Sequence, residues 1–355
     1  MSVQIKNKMI GDGSACYIVF EAGPTHDSLE SAIELTRAAA EGGADAIKFQ
    51  IFDPDRLVAD KKQLFSYDVL VNRETGETET VEEPLYDILA RRCLTPDEWK
   101  AVKKVADDHN MAFFSTIGFE EDIRLLESFG CDSIKIASAD VNHFPLLRQA
   151  ARTGMCIQLD TGNSSLGDIE QAVDVIQSEG NDRIIIHQCP SGYPAHLDSI
   201  NLRMITTLKQ MFPFPAAFSD HTPGWDMDIA AVAIGANLVE KTITKDRMTR
   251  SVEHVMSIEP HQFKPFIKAI RDLETAMGEP RRSLHPEQIK KRDAVRRSAF
   301  LRVDKKAGQA LVEDDVEYRR PGYGIPPTEH EHLIGHILNQ DMKAGDMLHW
   351  IDLTR

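Results

Sequence analysis

Two lysines sit inside otherwise apolar runs, Lys48 in Ala46-Ile47-Lys48-Phe49-Gln50-Ile51 and Lys135 in Ser133-Ile134-Lys135-Ile136-Ala137-Ser138. An ammonium turned into an apolar layer without a partner is costly, so both are expected to face one polar mouth. Two cations there, with hydroxyls from Ser115, Thr116, Ser138 and Ser219, make a cradle for a phosphate or carboxylate. The plainer alternative pairs them with acids such as Glu21 and Glu240. The same lysines also admit a Schiff base with a carbonyl substrate. Glu21, followed by Ala22-Gly23-Pro24-Thr25-His26, is placed as a general acid/base or as support for a lysine. His221 in Ser219-Asp220-His221-Thr222-Pro223-Gly224 is a metal ligand or an acid/base, with Asp220 to orient it. A metal needs further ligands, and Glu21, Asp160, His187, Glu240, His26 and His254 are all candidates that spacing alone does not separate.

These residues share a position. Eight short apolar runs, at 17–22, 46–51, 112–116, 133–138, 156–160, 184–188, 216–220 and 238–242, each end in a polar or charged residue. Between most of them lies a stretch of helical periodicity. The reading is eight parallel strands with crossover helices, a closed (β/α)8 TIM barrel, whose chemistry belongs at the carboxyl ends of the strands. Helix signals agree with this. Asp27 and Glu30 read as a capping box for a helix ending at Gly42-Gly43, and Thr95-Pro96-Asp97-Glu98 as a stronger one running to about Asn110. Further helices are expected over 119–129, 144–153, 166–179, 200–211, 226–235 and 260–277.

Residues 53–93 break the rhythm with a polar stretch, Val71 to Pro84, holding a Thr75-Gly76 turn suited to a hairpin. A long excursion after the second strand lies at the carboxyl face, where it either covers the site or moves freely. The barrel is expected to span 1–280. Residues 281–297, with seven Arg or Lys against two acids, read as a basic linker. Residues 298–355 read as a small β-rich domain with Gly- and Pro-rich turns, too small for a large core of its own. A net charge of −15 disfavours nucleic acid or an anionic membrane as partner. The five cysteines form no CxxC pair and suit a reducing cytoplasm; no membrane-length apolar run is present.

Over nearly its whole length the chain resembles the sialic acid synthases, the group of N-acetylneuraminate, pseudaminic and legionaminic acid synthases. The resemblance is carried by Gly43-Ala44-Asp45-Ala46-Ile47-Lys48-Phe49-Gln50, Phe114-Ser115-Thr116, Lys135-Ile136-Ala137-Ser138, Thr161-Gly162, Tyr193-Pro194, Phe218-Ser219-Asp220-His221-Thr222, Gly235-Ala236 and Glu240-Lys241. Arg320-Pro321-Gly322 with Gly324-Ile325 resembles the family's carboxyl-terminal antifreeze-like (SAF) domain. The resemblance implies condensation of phosphoenolpyruvate with the aldehyde form of an N-acyl amino sugar, giving a nine-carbon 2-keto acid and phosphate. It implies Lys48, Thr116, Lys135, Ser138 and Ser219 as phosphoenolpyruvate contacts, Glu21 as the catalytic carboxylate and His221 as ligand to a divalent metal such as Mn2+ or Mg2+. Gln50, Tyr193 and Glu253 fall to the sugar, with Ser115, Asp140, Asp160 and Lys241 in the same substrate-binding set. A domain-swapped homodimer would bring Arg320 to the other subunit's barrel.

The chain departs from the family pattern mostly on the metal and sugar sides. Thr242 stands where the second metal histidine is usual. Asp140 replaces a longer acid, Asp160 a serine, Ser191 an asparagine, and Ser251-Val252-Glu253-His254 the usual Gly-Pro-Asp-His. Besides a phosphoenolpyruvate-dependent synthase, the alternatives are a Schiff-base aldolase or lyase on the same barrel and a diverged, non-catalytic sugar-binding homologue.

Overall fold

The computed structural model describes all residues, Met1–Arg355. The chain divides into two compact units, Met1–Gly278 and Glu279–Arg355. In the first, strands β1 (Tyr17–Glu21), β2 (Ala46–Gln50), β3 (Ala112–Thr116), β4 (Ser133–Ile136), β5 (Cys156–Asp160), β6 (Ile184–Gln188), β7 (Ala216–Asp220) and β8 (Leu238–Thr242) form a closed, parallel barrel in sequence order. The expected (β/α)8 architecture is therefore present.

Strand alternation sorts the side chains. Tyr17, Val19, Ala46, Ala112, Phe114, Cys156, Ile185, Ala217 and Leu238 fill the amino half of the lumen, and Val3, Ile5 and Ile10 of an amino-terminal hairpin (Val3–Ile5 with Lys8–Ile10) pack on them. The opposite faces, such as Ile18, Phe20, Ile47, Phe49 and Val239, join the helix layer in the large core. An apolar floor leaves the polar inward residues to the carboxyl half, where the site must lie.

The helices begin and end for local reasons. Thr95 caps Pro96–Asp108 with Glu98 returning the bond, as expected. The first crossover helix, Leu29–Gly42, is capped one residue later than expected: Ser28 and Ser31 form the box, because Ser31 Oγ accepts from the amides of both Asp27 and Ser28. The helix expected from 200 starts at Met204, since Asn201 adopts positive φ.

The 53–93 excursion contains the expected hairpin, Leu64–Leu70 against Thr78–Pro84, followed by helix Leu85–Ala90. It is anchored to the loop after β8. Tyr67, Val69 and Ile88 cluster with Val252, and Arg73 binds Glu259 at 2.5 Å and Asp246 at 2.6 Å. In the second unit the 281–297 stretch, expected as a basic linker, carries helix Pro286–Val295. Short antiparallel pairs, Ser298–Leu301 with Val316–Arg319 and Ile337–Leu338 with Leu353–Thr354, then enclose a small core of Ala299, Leu301, Leu311, Val316, Leu333 and Leu348. No helix is long and apolar enough to cross a membrane.

Candidate active site

At the carboxyl half of the lumen the two lysines meet. Glu240, inward on β8, bridges them, with Oε1 2.8 Å from Lys48 Nζ and Oε2 2.8 Å from Lys135 Nζ. Lys48 also pairs with Glu21, whose Oε1 accepts from Gly23 N at 2.5 Å. That close approach requires glycine, because a Cβ at Gly23 would stand 2.5 Å from Glu21 Oε1 and 2.7 Å from Gln50 Cγ.

Lys135 is fully enclosed. Besides Glu240 it meets Asp160 Oδ1 at 3.0 Å, Ser219 Oγ at 3.1 Å and His187 Nδ1 at 3.0 Å. Ser219 Oγ also lies 3.0 Å from Asp160 Oδ1, and His187 Nε2 faces Gln158 Oε1 at 3.1 Å. Burial pulls the Lys135 ammonium down, but Asp160 and Glu240 outweigh it and hold it above the ordinary lysine value. Burial likewise pushes Glu240 up, and Lys135 and Lys48 overcome that, leaving its carboxyl far below the usual range. Burial and then Lys135 drive His187 well below its ordinary value, so it is neutral. The mouth thus holds two lysines among three carboxylates, Glu21, Asp160 and Glu240.

Above this network opens a cavity of about 390 Å³. Glu21, Lys48, Gln50, Thr116, Asp160 and Glu240 form its floor, and Ser138 and Asp140 one side. Tyr193, His221 and Glu253 form another. His221 Nδ1 lies 2.9 Å from the Pro190 carbonyl oxygen and its ring packs, tilted by 38°, at 4.7 Å from that of Tyr193, leaving Nε2 to the cavity it lines. Glu253 holds φ +70°, a left-handed conformation that a non-glycine residue adopts at a cost. Burial raises both the Asp140 and the Glu253 carboxyls.

Comparison with known proteins fits this geometry. A model of the NeuB family matches residues 35–282, most of the barrel. The chain belongs to the NeuB family. A SAF domain model matches residues 296–354. The chain is 32% identical to the N,N'-diacetyllegionaminic acid synthase of Legionella pneumophila over 96% of its own length and 95% of that protein's. It is 27% identical to the human N-acetylneuraminate-9-phosphate synthase over 92% of its own length and 90% of the other. Among solved structures, an N-acetylneuraminic acid synthetase from Leptospira borgpetersenii superposes with a TM-score of 0.71 at 26% identity, covering 83% of this chain and 97% of that one.

Among the residues expected at the site of this NeuB family member, Lys241, Ser115 and the supporting Asp220 point out of the barrel. Lys241 is adjacent to inward-facing Glu240 and therefore points out of the barrel. It is buried against Asp220, 2.5 Å from the Thr222 carbonyl oxygen and 3.9 Å from Asp228 on the helix behind β8. Asp220 follows the same parity: it accepts from Thr222 and pairs with Lys241 rather than orienting His221. Ser115, between inward Phe114 and Thr116, is turned outward, where its hydroxyl serves Ile51 N at 2.8 Å and the Phe49 carbonyl at 3.0 Å. Arg320 belongs to the second unit, exposed and without an ion pair. His26 is a buried tether between the Ala22 and Arg92 carbonyls, and His254 pairs with Thr244.

The sequence reading missed the cavity's apolar wall. Phe52, Leu57, Phe65, Leu85, Ile88 and Leu89 line it, together with Arg92. The signal was present: Leu85, Ile88, Leu89 and Arg92 recur at the i, i+3, i+4, i+7 spacing of one helical face.

Proposed function

We propose that this chain is a phosphoenolpyruvate-dependent synthase that condenses the donor with the open-chain aldehyde of an N-acyl amino sugar. The observation that carries the reading is the convergence of two lysines on Glu240, Lys48 at the cavity floor and Lys135 enclosed beneath it with Ser219 Oγ at 3.1 Å, while Thr116 and Ser138 line the cavity above. Two lysines and these hydroxyls suit the carboxylate and phosphate of the donor. C3 of the donor attacks the aldehyde carbon and a C–C bond forms. Water adds at C2, the C2–O bond to phosphate breaks, and phosphate leaves. Glu21, fixed by Gly23 and Lys48, is the carboxylate placed to take the proton of that water. Gln50, Tyr193 and Glu253 hold the sugar.

The residues present do not build a tight metal site. No three imidazole, thiolate or carboxylate groups converge as ligands, and Thr242 supplies a hydroxyl where an imidazole would be needed. We assign His221 as the single protein nitrogen available to Mn2+ or Mg2+, which would bind weakly, and no step above depends on that ion. On the family resemblance we further propose a homodimer in which Arg320 serves the other subunit's barrel; light scattering of the purified protein tests the stoichiometry.

The test is phosphate release from phosphoenolpyruvate, screened over acceptor aldoses with and without Mn2+. Turnover with an N-acyl amino sugar, lost by at least ~100-fold in Lys135→Met, is the expected result. Sugars that bind while no acceptor or metal supports release would sink it. The Schiff-base alternative needs a neutral amine, and Lys135 is held as an ammonium. Borohydride treatment with pyruvate is expected to label neither lysine.

A further inference from the structure

A buried polar chain runs down the lumen from Lys135 towards the apolar floor. Ser133, Gln158, His187 and Lys135 are all enclosed, none more than 1% exposed. His187 Nδ1 lies 3.0 Å from Lys135 Nζ, and His187 Nε2 lies 3.1 Å from Gln158 Oε1. Gln158 Nε2 donates to Ser133 Oγ at 2.8 Å, and Ser133 Oγ donates to the Cys156 carbonyl oxygen at 2.9 Å. Strand register lines them up: Ser133 pairs with Cys156 and Lys135 with Gln158 across β4 and β5, and Asp160 pairs with His187 across β5 and β6.

The two ends of the chain fix its direction. A backbone carbonyl only accepts, and an ammonium only donates. Ser133 gives its one proton to Cys156, so it accepts from the Gln158 amide nitrogen. The Gln158 oxygen then faces His187, whose Nε2 must carry the hydrogen. Turning the Gln158 amide over would protonate Nδ1 and set it against the Lys135 ammonium, donor to donor. Nδ1 is therefore a lone-pair acceptor for Lys135. Burial, and then Lys135 itself, keep the ring neutral.

Lys135 has three N–H bonds and four acceptors: Glu240 Oε2 at 2.8 Å, Asp160 Oδ1 at 3.0 Å, His187 Nδ1 at 3.0 Å and Ser219 Oγ at 3.1 Å. Two of these are held in place by partners of their own, Glu240 by Lys48 and His187 by Gln158. One proton remains for the edge formed by Asp160 and Ser219.

We infer that Gln158 and His187 are positioning residues for the donor: their chain keeps one Lys135 proton on His187 Nδ1, so that the proton left over is presented at the Asp160 and Ser219 edge. For the identity of the donor this rests on the synthase reading above; the direction of the chain does not.

Proton–nitrogen correlation spectra of the full-length protein, with isotope-labelled histidine at neutral pH and no added ligand, read the tautomer; the signal missing from His187→Gln assigns it. A neutral His187 with Nε2 protonated and Nδ1 bare is expected, and a protonated Nδ1 overturns the inference. Calorimetric titration with phosphoenolpyruvate reads the consequence. His187→Leu and Gln158→Leu are expected to weaken its Kd by at least ~10-fold, the scale of one charge-assisted hydrogen bond. KM for the acceptor in the phosphate-release assay should move less than about threefold. His187→Gln returns an amide oxygen to Lys135 and an amide N–H to Gln158, and should bring the donor's Kd back to within about threefold of wild type. Equal losses in His187→Leu and His187→Gln, or an acceptor KM that moves with the donor's Kd, would assign these residues to packing and overturn the inference while leaving the synthase reading standing. A wild type that neither binds nor turns over phosphoenolpyruvate overturns both.

Discussion

Asp160 occupies ground that the donor needs. Its Oδ1 lies 3.0 Å from Lys135 Nζ and 3.0 Å from Ser219 Oγ, two of the groups assigned to phosphoenolpyruvate. An anion that docks on Lys135 therefore meets a fixed negative charge beside it. At about 5 Å and an effective dielectric of about 20, that repulsion is about 3 kcal/mol. Asp160→Asn removes the charge and keeps an oxygen for Ser219, while Glu240 still holds Lys135 at 2.8 Å. Some of the gain is lost to rearrangement, so the donor's Kd is expected to fall by roughly 10- to 100-fold, which is about 1.4 to 2.7 kcal/mol. Calorimetric titration with phosphoenolpyruvate alone reads this directly, and steady-state phosphate release with saturating acceptor separates KM from kcat. An unchanged or weakened Kd would refute the argument, because Asp160 would then not face the donor. A collapse of kcat at unchanged Kd would give Asp160 a part in proton transfer instead.

Three further outcomes follow from the same network and its neighbours. Glu240→Gln leaves two buried ammoniums short of their shared carboxylate, so stability should drop by about 3–5 kcal/mol in urea unfolding; a loss below 1 kcal/mol would mean that Glu21 and Asp160 suffice. His254 is lowered to about 4 by burial, against about 6.5 in the unfolded chain. Between those values the unfolded state binds the extra proton, so stability falls as pH drops from 6.5 towards 4, by about 3 kcal/mol for this residue; His254→Asn should shrink the gap between melting temperatures at pH 7 and pH 5, and an unaltered gap would assign the acid sensitivity elsewhere. Elemental analysis of the purified protein should find well under one divalent ion per chain, with His221→Ala abolishing residual Mn2+ binding; a tight stoichiometric metal would contradict the ligand count around Thr242.

The barrel was legible because each strand is a short apolar run closed by a polar residue, and because glycines and caps punctuate the helices between. Strand ends alone did not say which way a side chain points. Glu240 and Lys241 are neighbours on β8, so only one enters the lumen, and Lys48 on β2 shows the same rule with Phe49 facing the helices. Parity counted back from the apolar floor, Leu238 on β8 and Phe114 on β3, places Glu240 and Thr116 inside and Lys241 and Ser115 outside. The cavity wall was harder. Its residues lie within or beside an excursion held by long-range contacts, Val252 against Tyr67 and Arg73 against Glu259, which local pattern does not encode.

The charges of the mouth explain how an acidic protein binds an anion. Lys48 and Lys135 are never bare: Glu21 and Glu240 pair with the first, and Asp160 and Glu240 hold the second above the ordinary lysine value in the low-dielectric lumen. The cost is competition, since each carboxylate must yield coordination to the donor. The three differ in how readily they do so. The Glu240 side chain is 6% exposed and bridges both lysines, whereas the Asp160 side chain is 12% exposed and touches only Lys135 of the two. On the proposed reading, Asp160 is the carboxylate that yields and Glu240 the one that stays on both lysines. On the proposed reading, the donor enters by exchange of one carboxylate for another on Lys135 rather than by binding to a permanently positive pocket.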